Sequence, residues 1–182
     1  MRIISGSLKG RKILPPKGLP VRPTTDMAKE SLFNVLVNKV DFDEIRVLDL
    51  FSGTGNISLE FASRGVQDLT SVDQNFRCCA FLTQIVDEYK LSGVQVVKDN
   101  VLKFIERKHE PFDVVFADPP YDLPWLPEIP DKVLERNLVK SDGMVILEHP
   151  SFKRFSEHPN FIETRKYGQS SFSFFKPIIN PK

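Results

Sequence analysis

Cysteine is nearly absent from this chain, with Cys78 and Cys79 the only two. Adjacent thiols in a helix-like segment suit neither a disulfide nor a metal site, so they read as packing residues of a reducing cytoplasm. No apolar run approaches the roughly 18 residues needed to span a membrane. The Ile3-Ile4 pair after Arg2 is far too short for a signal-peptide core. Repeats, low-complexity linkers and His/Cys/acid clusters at metal-ligand spacing are also missing, so neither a second domain nor a metal is expected. Acid is missing from one end. Residues 1–22 carry Arg2, Lys9, Arg11, Lys12, Lys17 and Arg22 with no acid, whereas the remainder holds 19 basic and 24 acidic residues. The net charge of +1 therefore hides a basic arm on an acidic body. That distribution is associated with polyanion binding, a solvated tail being the plain alternative.

What is present begins with 182 residues, 41% hydrophobic and 27% charged, enough for one globular unit with a real core. The organising stretch is Asp49-Leu50-Phe51-Ser52-Gly53-Thr54-Gly55. It follows an apolar run, residues 45–48, that reads as a buried parallel strand, and it precedes a helix-like segment, residues 56–64. Strand, glycine turn and helix in that order make a ligand cradle. Glycines let the backbone approach a ligand, and the helix start offers unpaired N–H groups.

Upstream, residues 1–23 are too rich in glycine and proline for a long helix. They read as an arm laid on the body, with a small hairpin from residues 2–5 and 12–14. One of Thr24, Thr25 and Asp26 caps a helix running to about Lys39, with Met27, Leu32, Phe33, Leu36 and Val40 on its apolar face. Downstream, strands are expected at 69–73, 94–97, 112–117 and 144–147, and helices at 75–89, 101–107 and 130–139. Ser141-Asp142-Gly143 reads as a turn, and residues 162–167 and 171–175 as an antiparallel hairpin. The pattern predicts an α/β fold with a doubly wound, mostly parallel sheet completed by the hairpin.

In such sheets ligands bind at the carboxyl ends of the strands. Asp49, Asp73, Asp99 and Asp118 all fall there, which predicts one cleft. Asp73 lies 18 residues beyond Gly55, where an acid accepts hydrogen bonds from ribose hydroxyls; a helix cap is the alternative. Asp99 reads as a helix cap, an adenine contact, or both. A nicotinamide fingerprint wants Gly or Ala where this chain has Ser58, and Asp49 would repel a pyrophosphate. A ligand carrying an amine and a sulfonium, together with a ribose and an adenine, suits the set better, and S-adenosylmethionine has all four.

Asp118-Pro119-Pro120-Tyr121 sharpens the reading. The lone pair of an exocyclic base amine is delocalised into its ring, so the nitrogen must be held in line with the methyl–sulfur bond. The Asp118 carboxylate and the Pro119 carbonyl can each accept one N–H, the prolines stiffen the turn, and Tyr121 offers a ring for stacking. Trp125 is either a second base platform or a packing residue, and His149 reads as a structural histidine.

These two motifs resemble those of class I S-adenosylmethionine-dependent methyltransferases that methylate nitrogen. Met1-Arg2-Ile3-Ile4-Ser5-Gly6, Gly10-Arg11-Lys12, Arg22-Pro23-Thr24-Thr25-Asp26 and Glu30-Ser31-Leu32-Phe33-Asn34 narrow the resemblance to the bacterial RsmD family, over Met1 to about Phe175. The resemblance implies a Rossmann-like seven-stranded methyltransferase domain spanning 1–182, with an RNA-contacting arm at 1–24 and a catalytic core at 25–182. It implies S-adenosylmethionine as cofactor, held by Asp49, Phe51, Ser52, Gly53, Thr54, Gly55, Asp73, Asp99 and Asn100. Asp118, Pro119, Pro120 and Tyr121 would grip the base, and Arg2, Lys9, Arg11, Lys12, Arg22 and Thr24 would serve the RNA. The implied reaction is N2-methylation of a guanine in small-subunit (16S) rRNA, in an assembling or assembled 30S particle. The enzyme would be a cytoplasmic monomer needing neither metal nor membrane. The four-residue motif is shared with adenine-N6 and protein-glutamine methyltransferases. Adenine methylation in nucleic acid is therefore the rival activity, and a non-catalytic RNA-binding assembly factor the rival of another class.

Overall fold

The computed structural model describes residues 1–19 and 24–178. Seven strands form one mixed sheet in the order β3-β2-β1-β4-β5-β7-β6. They are β1 (Arg46–Leu50), β2 (Asp68–Asp73), β3 (Val94–Lys98), β4 (Phe112–Ala117), β5 (Val139–Pro150), β6 (Phe161–Tyr167) and β7 (Ser170–Phe175). The first five run parallel, and β7 and β6 add the antiparallel hairpin. The helices are α1 (Asp26–Leu36), α2 (Asn56–Ser63), α3 (Phe76–Glu88), α4 (Val101–Glu106) and α5 (Ile129–Glu135). Strand order reverses between β1 and β4, the position where doubly wound sheets open a crevice.

Apolar residues alternate to both faces of β1 and β4, and so two cores form. Val47, Val114 and Phe116 face a cluster with α1, α2 and α3, while Leu48, Leu50 and Val115 face one with α4 and α5. The arm closes the first of these. Arg2 and Lys12 form an antiparallel bridge, and Ile3 and Ile13 bury their side chains in that cluster.

Local chemistry moved several boundaries. Thr25 caps α1 by accepting from the Ala28 N–H, and the helix ends at Leu36 rather than near Lys39 because Asn38 and Lys39 fold back into tight turns. Met27, expected in the apolar face, is exposed, whereas Lys29 is fully buried. α5 stops early where Asn137 takes φ 53°, which releases Leu138 and Val139 toward the sheet. The expected turn at Ser141-Asp142-Gly143 is instead a bulge inside β5. Phe112 pairs with Val139 but Val114 with Met144. Gly143 is required there, since a Cβ would sit 2.6 Å from the Asp113 carbonyl oxygen. Glu148, His149 and Pro150 belong to the strand and pair with β7.

Candidate active site

Backbone hydrogen bonds hold the strand ends side by side. Ser52 donates its N–H to the Val72 carbonyl, Asp118 to Leu50, and Asp99 to Asp73. Beyond β1 the chain turns through left-handed backbone at Phe51, Gly53 and Gly55, with φ of 61°, 53° and 83°. A Cβ on Gly55 would approach Leu82 Cδ1 to 2.3 Å, so the turn needs glycine for space as well as for φ. Asp73 fastens the turn from β2 by accepting the Gly53 N–H at 2.8 Å and the Asn75 N–H at 2.8 Å. The cap of α3 is Asn75, not Asp73.

A cavity of about 610 Å³ opens over this junction. Its wall includes Asp49, Phe51, Ser52, Gly53, Thr54, Asp73, Asp118, Pro119, Pro120, Tyr121 and Thr24. Three of the four expected acids thus converge. Asp99 and Asn100 lie one strand further out and do not line the cavity. Asp99 pairs with Arg107 at 2.6 Å, and Asn100 caps α4 and reaches Gln74, which does line it. Gly55 lies behind the wall as the first residue of the α2 turn.

Asp49 is the most perturbed group. Burial raises its pKa to about 7, against the lowering effect of the Ser58 hydroxyl that donates to Oδ2 at 2.5 Å, with the Asp73 charge raising it further. Ser58, the residue that breaks the nicotinamide fingerprint, is therefore a partner of this carboxylate. Ser52 Oγ is buried without a hydrogen-bond partner, alone in this respect among the described side chains. No Lys, Arg or His is found among the described cavity residues, although Asp49, Asp73, Asp118 and Glu148 are. A site with four carboxylates, an orphaned hydroxyl and glycine-permitted backbone fits a cationic, hydroxyl-bearing ligand such as S-adenosylmethionine.

Sequence reasoning missed several cavity residues, among them Glu148, Ser170, Asn56 and Gln74. Glu148 is buried, accepts from Thr24 Oγ1 at 2.7 Å and from the Tyr121 hydroxyl at 3.3 Å. Ser170 Oγ lies 2.6 Å from the same hydroxyl. Asn56 donates to the Thr24 carbonyl and accepts from Lys29 Nζ. Gln74 follows Asp73. The only signal for Glu148 was its position at the end of an apolar run.

Trp125 packs against Phe51, ring centroids 5.9 Å apart, and is not part of the described wall. His149 is buried between the Pro150 carbonyl and Ser173 Oγ, and burial lowers its pKa, as befits a neutral structural histidine. Of the arm residues, Lys9, Arg11 and Lys12 are exposed, and Arg2 is exposed but ion-paired with Asp26 at 3.3 Å. Thr24 is buried at the cavity, and Arg22 lies outside the described residues.

Residues 1–176 match the protein family described as Conserved hypothetical protein 95. The chain belongs to that family. Among the relatives of this chain, the rRNA methyltransferase YlbH of Bacillus subtilis, so named provisionally, is 32% identical over 183 residues, covering 97% of this chain and 98% of its own length. Ribosomal RNA small subunit methyltransferase D of Escherichia coli is 30% identical over 148 residues, covering 81% of this chain and 74% of its own. The resemblance to RsmD methyltransferases drawn from the motifs is thus borne out. The solved structure of Escherichia coli yhhF superposes with a TM-score of 0.85 at 27% identity, covering 97% of both chains. A Thermus thermophilus 16S rRNA N2 methyltransferase (RsmC), solved with AdoMet and guanosine, shares the fold at TM-score 0.70 and 18% identity, over 88% of this chain and 46% of that one. The fold is the Rossmann-like fold of class I methyltransferases, as expected.

Proposed function

We propose that this chain transfers a methyl group from S-adenosylmethionine to the exocyclic N2 of one guanine in 16S rRNA. The substrate we favour is an assembling or assembled 30S particle, and residues 1–182 act as one cytoplasmic, monomeric, metal-free unit. The observation that carries this reading is the juxtaposition, in one acidic cavity, of the Asp49 to Gly55 turn with Asp118-Pro119-Pro120-Tyr121. The family's rRNA methyltransferase relatives support the acceptor.

S-adenosylmethionine, when bound, supplies an electrophilic methyl group on a sulfonium. Asp49 and the Ser52 to Gly55 backbone would hold its methionine end, with the Asp49 carboxylate ionised opposite the ammonium. Asp73 would accept from the ribose hydroxyls, and Asp99, with Asn100 beside it, would take the adenine amine beyond Gln74. Asp118 and the Pro119 carbonyl would accept the two N–H bonds of the acceptor amine. They would fix its direction and stabilise the positive charge that grows on nitrogen as the methyl group arrives. Tyr121, anchored by Ser170 and Glu148, would present its ring to the base. Thr24 would lie at the target mouth, Arg2, Lys9, Arg11 and Lys12 would meet phosphates, and Arg22, outside the described residues, would also serve the RNA.

The deciding experiment is mass spectrometry of digested small-subunit rRNA from cells with and without the protein. Loss of one N2-methylguanine is expected, and unchanged rRNA would move the acceptor to DNA or protein. Asp118→Ala should lower kcat by about a hundredfold or more while S-adenosylmethionine binding, read by calorimetry, persists.

A further inference from the structure

We propose that the turn after β5, residues 150–153, and the adjoining end of β6 form a second RNA-contact surface beside the cavity. Phe152 stacks on a base next to the methylated guanine in the strand, and Lys153, Arg154 and Lys166 hold phosphates. This deepens the base-methylating reading above and rests on it. A guanine drawn into the cavity leaves its neighbours in the strand without a stacking partner, which costs free energy. The cavity holds Asp49, Asp73, Asp118 and Glu148, so the flanking phosphates must be met by cations on its rim. The outer cations of the arm do not stand there. α2 opens at Asn56 on the cavity and runs about 12 Å to Ser63. Lys9 follows Leu8, whose N–H donates to Ser63 Oγ at that far end, and Arg11 lies over the Tyr89 ring at the end of α3.

The end of β5 does stand there. Glu148 and Ser170 line the cavity, and Ser170 pairs with Pro150. Ser151 then donates its N–H to the Gln169 carbonyl at 2.9 Å, and Lys153 donates to the Pro150 carbonyl at 3.0 Å. The second bond closes a tight turn with Ser151 and Phe152 at its central positions. Phe152, two residues beyond the partner of a wall residue, is 80% exposed. Lys153 lies near enough to His149 to oppose its protonation. Lys166 stands at the level of the same histidine, because it pairs with Ser171 and Ser171 pairs with His149. Arg154, next in sequence to Lys153, is exposed. Among the described residues none of these three cations is ion-paired, whereas Arg165 is held by Glu163. Residues 149–156 and 164–176 contain no acid, in a chain that has 24. A lone exposed apolar residue is ordinary. An exposed ring among unpaired cations, bordering the cavity that takes the target base in our reading, has the composition of a single-strand site. Bases stack on the ring whatever their sequence, and the cations follow the backbone. A protein partner fits less well, since lysine is depleted from the cores of protein interfaces.

The test titrates small-subunit rRNA, naked and in 30S particles, over a range of salt. The proteins compared are wild type, Phe152→Ala, Phe152→Trp and the triple variant Lys153→Ala, Arg154→Ala, Lys166→Ala. Phe152→Ala should weaken binding by about tenfold with the slope of log K against log salt unchanged. Phe152→Trp should restore the affinity, and RNA should quench its emission beyond the Trp125 signal that wild type gives. The triple variant should lower the slope by about 2. Affinity for S-adenosylmethionine, read by calorimetry, should stay at the wild-type value in each variant, since none of these residues lines the cavity. Phe152→Ala that binds like wild type overturns the proposal, as does a tryptophan that neither restores affinity nor senses the RNA, which would make the ring a packing residue of the turn. A triple variant with the wild-type slope overturns the phosphate contacts. Losses seen with 30S particles and not with naked rRNA would assign the surface to a ribosomal protein and also overturn the proposal. Methyl transfer is followed on the same RNAs. Wild type that binds them and transfers nothing would sink the methyltransferase reading, while the binding comparison would still decide the surface.

Discussion

Asp49 sits on β1 with almost no exposure, and burial lifts its pKa to about 7. The folded protein therefore keeps a proton that the unfolded chain has lost between about pH 4 and 7. Over that window this group's contribution to stability falls as pH rises, the reverse of an ion-paired carboxylate. Binding of an ammonium wants the opposite state, so affinity should climb toward pH 7 and level off above it. Asp49→Asn should raise the melting temperature of the cofactor-free protein at pH 7.5 more than at pH 5, and should abolish the rise expected when S-adenosylmethionine is added to wild type. Thermal melts at both pH values, with and without cofactor, check this. An equal shift at the two pH values would show that burial has not perturbed the group. Asp49, Asp73 and Asp118 were legible because each follows an apolar run and a fixed topology brings strand ends together. Glu148 was not, because its meaning depends on Thr24, 124 residues away in sequence. Lys29 was missed for the same reason. A lysine on a helix reads as solvated until Glu60 and Asn56 are known to face it.

At the scale of elements, the arm is held on α2 by Ser63, which bonds Ser5, Ser7 and Leu8, and by one buried carboxylate. Glu60 accepts the backbone N–H groups of Ile4 and Ser5 at 2.8 and 3.0 Å and the Arg64 guanidinium at 2.9 Å, and faces Lys29 Nζ at 3.6 Å. Lys29 Nζ in turn donates to the Arg2 carbonyl at 2.6 Å. Burial lowers the Lys29 pKa, with Glu60 opposing that shift. Removing Glu60 leaves a buried ammonium and two backbone donors without their acceptor. Glu60→Ala should therefore destabilise the protein by about 3–5 kcal/mol in urea unfolding and speed amide exchange at Ile4 and Ser5. A loss under about 1 kcal/mol would mean that the pair behaves as a surface ion pair. The strands were legible as elements because β-branched and aromatic runs mark them. Their ends and bulges were less so, because Ser141-Asp142-Gly143 has the same composition in a turn and in a bulge, and only the approach of the Asp113 carbonyl decides between them. Helix ends were similarly set by tertiary demands, as at Asn137, where the chain must leave α5 to enter β5.

At the scale of the molecule, charge is divided between a basic arm and an acidic cavity. RNA phosphates are attracted by the first and repelled by the second, so a base can enter the cavity only if its backbone stays outside, as in enzymes that flip their target. The arm's Lys9, Arg11 and Lys12 are exposed and carry this attraction in our reading, while Arg2 is already engaged by Asp26. The polarity of the arm was legible from composition. Its lying on the body was also expected, but which residues dock it was not, because Ile3 and Ile13 look no different from their apolar neighbours Ile4 and Leu14 until the surface of the folded body selects them. Replacing Lys9, Arg11 and Lys12 together by alanine should reduce the slope of log K against log salt by about 2–3, measured by titration with small-subunit rRNA. It should leave kcat at saturating RNA and the affinity for S-adenosylmethionine unchanged, since none of the three lines the cavity. Replacing Arg2 alone should move the slope by less than one such contact, because the phosphate would compete with Asp26. Equal slopes for wild type and the triple variant would remove the arm from RNA binding and place the attraction elsewhere on the surface. A loss of kcat with the slope intact would mean that the arm acts by shaping the cavity through the Lys29 and Asn56 hydrogen bonds rather than by holding phosphate.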